Sequence, residues 1–146
     1  MSMNLFFQAF PVDDIKSMMN THSLIDKWVY GGERAVIDID IEDAWDVLNN
    51  ILGGTGFESD EFVDDVLSNG CEVLFSETVK RHAAALSEWT HERLLDALRQ
   101  LDPDDGSYHF EHFRDQNEDL LEEFDKLCAF YQQAAQAGLG VIEYAA

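Results

Sequence analysis

The stretch from Leu120 to Tyr144, LLEEFDKLCAFYQQAAQAGLGVIEY, decides the fold class. Leu120, Phe124, Leu127, Tyr131 and Ala134 recur at helical spacing, flanked by Leu121, Cys128 and Ala135, and predict one long amphipathic helix. Gly138 stops it. Leu139 to Tyr144 then stays largely apolar over the length of a strand. At the other end of the chain, Leu5, Phe6, Phe7, Ala9 and Phe10 form an aromatic-rich run stopped by Pro11, which reads as a buried strand. Each run is too short to be stable alone, so the two terminal strands are expected to lie in one sheet.

The residues between them read mostly as helix. Pro11 opens a helix with Asp13 and Asp14 in its first turn and Val12, Ile15 and Met19 on one face. The pattern from Thr21 to Glu33 is weaker and breaks at Gly31-Gly32. Ala35 to Asp40 suits a short strand or an extended lead-in. Asp40 is expected to cap a helix whose stripe is Ile41, Ala44, Trp45, Leu48, Ile51 and Leu52, ended by Gly53-Gly54. A further helix is expected from Ser59 to Gly70, with Phe62, Val63, Val66 and Leu67 buried. Cys71 to Phe75 suits a strand, and Ser76 and Thr90 each open a helix. Asp102 to Gly106 is a polar turn, and Asp115 and Glu118 have capping spacing ahead of the long helix. The expectation is one domain over residues 1–146. It is a helix-rich α+β fold with at least five helices and a small mixed sheet of three or fewer core strands, the N- and C-terminal strands among them.

Hydrophobic residues make up 46% of the 146, enough for a core, against 30 acidic and 9 basic side chains and a formal net charge of −21. That balance argues against direct nucleic-acid binding, which needs lysine and arginine on the phosphates, and against docking on an anionic membrane. It suits first a solvated or salt-adapted surface, and it would also speed encounter with a basic partner. Cys71 and Cys128, both among apolar residues, are expected to be reduced thiols rather than a disulfide framework. The start Met1-Ser2-Met3-Asn4 has no secretory pattern and no apolar run is long enough to span a bilayer, which makes the cytoplasm the expected location.

Three segments carry a resemblance to a known family. They are the aromatic N-terminal strand followed by DIDIEDAWDVLNNILGGTG (Asp38 to Gly56), the Phe-Ser-x-x-Val entry at Phe75 to Val79, and the C-terminal stretch from Leu120 to Tyr144. In these the chain resembles the YfbM-like bacterial family, a domain family of unknown function. The match is most specific at Asp40, Trp45, Leu48, Leu52 and Gly54, and at Phe130-Tyr131 with Ala134, Ala135, Gly138 and Val141. The resemblance implies a compact α+β fold. It brings no established activity and no catalytic residues. The same positions also have a structural reading, as a packed stripe and helix stops.

The search for chemistry finds fragments. His109-Phe110-Glu111-His112 places two histidines three apart, but the His-Glu-x-x-His of a zinc protease is absent. Asp102, Asp104 and Asp105 lack the glycine and glutamate spacing of a calcium loop. His82 and His91 flank Glu88 on adjacent helices and would suit acid–base work if they converge. No catalytic residue, metal or cofactor is expected. The leading expectation is a non-enzymatic acidic binding protein, in its most concrete form an immunity-type protein that neutralises a basic toxin in the bacterial cytoplasm. Asp60, Glu61, Asp64 and Asp65 are its expected partner-binding residues, solvent-facing on the Ser59 to Gly70 helix. The alternatives are a small enzyme using His82, His91, Glu88 or the His109/His112 pair, and a structural or regulatory module.

Overall fold

The two ends of the chain form the middle of the sheet. The computed structural model describes residues 3–101, 113 and 117–146. Strand β1 (Leu5–Phe10) pairs antiparallel with the last strand, β5 (Gly140–Ala145), from Leu5 opposite Ala145 to Phe10 opposite Gly140. Reciprocal backbone hydrogen bonds between Asn4 and Ala146, 2.9 and 3.0 Å, extend the ladder by one residue. On the other side of β1 lies β2 (Ile37–Asp40), and beyond β5 lie β4 (Cys71–Leu74) and β3 (Glu61–Val63). The order is β2-β1-β5-β4-β3. The terminal strands share a sheet as expected. The sheet has five strands rather than three or fewer, and every pairing is antiparallel rather than mixed.

Both faces of this sheet are covered, which explains the near-continuous apolar runs in β1 and β5. Side chains alternate along a strand. Leu5, Phe7, Ala9, Leu74 and Val141 face the main core. That core is closed by α3 (Trp45–Leu52), α4 (Ser76–Leu86), α5 (His91–Gln100) and the long α6 (Asn117–Gln136). Phe10, Cys71, Val73 and Ile142 face the opposite layer, made by α1 (Val12–Asn20) and α2 (Ser23–Gly31). The stripe expected on the long helix is the buried one: Leu120, Phe124, Leu127, Tyr131 and Ala134 all lie inside.

Three local expectations are corrected. The segment from Ser59 to Gly70 is not a helix. Asp60 N–H donates to the Val73 carbonyl, and Glu61, Phe62 and Val63 pair with Val73, Glu72 and Cys71. The Ser-Asp-Glu start imitates a helix entrance, but pairing with β4 overrides it. Asp40 ends β2 rather than capping a helix; its Oδ1 accepts from Glu42 N–H at 2.7 Å, a local turn, and α3 begins only at Trp45. In α1 the buried residues are Ile15 and Met18, while Val12 is exposed. The expected stop at Gly53 is present, with the left-handed backbone (φ +60°) that a helix end favours. Trp45, expected to be core, is partly buried, and its indole N–H donates to the Met3 carbonyl at 2.9 Å.

Gly140 marks where α1 comes nearest to β5. A Cβ there would sit 2.7 Å from a side-chain carbon of Ile15 and 3.1 Å from the Leu74 carbonyl. Gly140→Ala is therefore expected to lower stability by about 1–3 kcal/mol, the usual cost of overpacking a core. Chemical denaturation checks this; an unchanged midpoint would mean that α1 is free to shift away.

Candidate functional site

Each face of the sheet contains apolar strands, but two acids interrupt them. Glu72 lies in β4 and Glu143 in β5, and they are register partners on the same face. Glu143 is only 4% exposed, and its Oε2 has no hydrogen-bond partner among the described residues. Glu72 is half-buried and accepts a short hydrogen bond from the Ser59 hydroxyl. Burial, and after it the charge of Glu72, push the Glu143 carboxyl well above the ordinary carboxylate range. Tyr131 from α6 feels the same site. Its hydroxyl is pushed up by full burial and by the Glu143 charge, and donates to the Gly56 carbonyl at 2.7 Å. Trp45 and Asn49 of α3, Phe57 and Phe62 complete a cavity of about 280 Å³ over the two glutamates.

A second acidic feature lies on the β2 side. Glu123 of α6 is also buried, at 5% exposure, but it has an internal cation: Lys126 Nζ lies 2.8 Å from its Oε1. Lys126 also donates to the Asp40 carbonyl at 3.3 Å. Burial pushes the Glu123 carboxyl up, with Lys126 opposing and Glu42 and Glu122 reinforcing the rise. The acidic segments 38–46 and 118–125, far apart in sequence, thus meet around one lysine.

The four expected partner-binding residues do not share a helix face. The Asp60 carboxylate accepts from Phe75 N–H at 2.7 Å and from the Thr78 hydroxyl at 2.8 Å, holding the first turn of α4. Asp65 pairs with His22 at 3.1 Å. Glu61 is exposed on the edge strand β3, and Asp64 is exposed just after it. Asp60 is therefore a helix-end acceptor, a role that its place before an expected helix concealed.

The histidines are not gathered either. His82 in α4 is buried, and both ring nitrogens are engaged. Nδ1 accepts from Gly56 N–H at 3.0 Å and Nε2 donates to the Glu58 carbonyl at 2.8 Å. This fixes a neutral tautomer and leaves neither nitrogen free to take a substrate proton. Together with Tyr131 it pins the loop at Gly56, whose φ of +89° suits glycine. His91 instead pairs on the surface with Asp125 at 2.7 Å. Glu88 is exposed, and its carbonyl accepts from Arg93. His109, His112, Asp102, Asp104 and Asp105 lie outside the described residues. Among the described residues no group of three or more His, Cys, Asp or Glu could hold a metal ion. Both cysteines are free. Burial pushes Cys71 up to about 12 and Cys128 up to about 11, which keeps each a thiol at neutral pH. No helix among the described residues is long and apolar enough to cross a membrane.

These features define an α+β domain closed by its own termini, with one buried acid beside a half-buried one where β4 meets β5. Residues 1–144 match the family described as "Domain of unknown function (DUF1877)", and the chain belongs to that family. The fold is similar to the crystal structure of a protein of unknown function, YfbM from Escherichia coli. The TM-score is 0.66 at 13% identity, covering 98% of this chain and 99% of that one. At that identity the likeness shows the fold. No curated protein matches the sequence.

Two outcomes are expected. Asp60→Ala should cost roughly 1–2 kcal/mol of stability, the usual effect of removing a helix-end acceptor, read by denaturant melting. An unaltered melt would return Asp60 to the list of free surface acids. Glu143→Gln should change the pH dependence of folding. The folded chain holds a proton on Glu143 that the unfolded chain releases near the ordinary value of 4.5. Between those two values the folded state binds more protons, so wild type loses stability as pH rises, and the variant does not share that loss. Melts of both from acid to neutral pH should converge in acid and separate above it. Parallel curves would show that Glu143 ionises normally.

Proposed function

We propose that this protein is a non-catalytic binding protein that captures a basic protein through its acidic surface. The observation that carries the reading is the gathering of Glu42, Glu122 and Glu123 around Lys126, in a chain of formal net charge −21. Several of the nine basic side chains are engaged at home. Arg34 pairs with Asp14, Lys80 with Glu77 and Arg99 with Asp96, while Arg93 lies over Trp89. The excess of carboxylates repels itself, and a cationic partner relieves that repulsion.

Glu61 and Asp64 add a second acidic patch at the opposite edge of the sheet. The immunity-type role, masking a basic toxin, is the most concrete form of this reading. Its support is the size and charge of the chain. The commitment of both His82 nitrogens to backbone groups weighs against the alternative of a histidine-based enzyme.

A partner recovered from the native host at low salt serves as the analyte for association kinetics. The association rate constant should fall by about tenfold or more as salt rises to several hundred millimolar, because screening removes long-range steering. The dissociation rate should change much less. The double variant Glu42→Gln/Glu122→Gln should slow association more than Glu61→Gln/Asp64→Asn. A salt-independent association rate would reject electrostatic capture.

A further inference from the structure

We infer that the cavity over Glu72 and Glu143 binds one ammonium or guanidinium group, carried by a small organic amine or by a basic side chain of another protein. The cavity holds about 280 Å³. That is just below the range of ordinary ligand pockets, roughly 300–1,000 Å³, and suits an occupant the size of one side chain.

The orphaned oxygen of Glu143 is the feature that calls for a donor from outside. Glu143 is 4% exposed and its Oε2 lacks a donor, whereas buried polar atoms are nearly always hydrogen-bonded. Three donors around it are occupied elsewhere, while the side-chain amide of Asn49 also lines the cavity. Ser59 donates to Glu72, the Trp45 indole to the Met3 carbonyl, and the Tyr131 hydroxyl to the Gly56 carbonyl. Among the described residues no lysine, arginine or histidine forms an ion pair with Glu72 or Glu143. Glu123 is the internal comparison: equally buried, and with an Oε2 that likewise lacks a donor, it is nevertheless paired with Lys126 through Oε1. Among the described residues one buried glutamate has a cation and the other has none.

The chemistry of the cavity selects the occupant. An anion would meet two acids. A neutral apolar group would leave Oε2 without a donor. An ammonium or guanidinium group brings several N–H donors and one positive charge, enough to bond both carboxyl groups and to favour the ionised form of Glu143. Trp45, Phe57 and Phe62 line the same cavity, and aromatic faces attract organic cations. The described residues place no third acid, histidine or cysteine with the pair to complete a metal shell.

The test is titration of the full chain with n-butylammonium and n-butylguanidinium. The neutral control of similar shape is 1-pentanol, and a short end-blocked peptide with a single lysine forms the protein-side arm. Binding is followed by calorimetry and by the Trp45 indole N–H signal. One saturable site is expected for the cations and none for pentanol. Glu143→Gln and, separately, Glu72→Gln should each weaken binding by about tenfold or more, as loss of a buried charge partner does, while Glu61→Gln leaves it unchanged. Tighter binding of the free amines assigns a small-molecule ligand, and tighter binding of the peptide assigns a protein side chain. Absence of saturable binding by every cation, or equal binding by wild type and both glutamate variants, overturns the inference. Capture of a basic protein by the surface acids is measured separately, so either reading can fail without the other.

Discussion

The pairing of β1 with β5 is the contact on which the rest of the structure depends. It joins residues more than a hundred positions apart and places them at the centre of the sheet. β2 attaches to β1 and β4 to β5, and β3 is added at the edge through β4. The pairing puts apolar side chains on both faces, so helices must cover both, and α3–α6 and α1–α2 divide that task. It also fixes the site. Glu143 reaches its position beside Glu72 only because β5 is held between β1 and β4.

The electrostatics follow from a scarcity of cations. In a chain with 30 acids and 9 bases, most carboxylates must rely on water or backbone donors. Asp60 uses the entrance of α4, and Asp40 uses a turn of its own backbone together with Asn4. Glu123 has a lysine. Glu143 has neither water-facing freedom nor a donor on Oε2, so burial drives its carboxyl towards the protonated form. A buried acid in that condition costs stability. It stands among aromatic and amide side chains at a cavity, where an external cation would offset the cost.

The sequence made the outer plan readable because long patterns average over many residues. The twenty-residue helix α6 and the two terminal strands each rest on several concordant apolar positions. The segment after Ser59 failed because Ser-Asp-Glu is compatible with a helix start, while the pairing that decides it involves Cys71 to Val73, further along the chain. The acid pair carried a faint signal. Glu72 in Cys-Glu-Val-Leu and Glu143 in Val-Ile-Glu-Tyr are single acids inside otherwise apolar strands. Their meeting across two strands, with no cation beside them among the described residues, depends on register and could not be read from spacing.

Glu143 is a buried acid with no ion-pair partner among the described residues. Carbon-13 NMR titration of the glutamate side-chain carboxyls, with Glu143 assigned through Glu143→Gln, tests it most directly. The account requires the Glu143 signal to titrate well above the exposed glutamates, and to move down towards them when a bound cation occupies the cavity. A Glu143 carboxyl that titrates together with the exposed glutamates in the free protein would contradict the account.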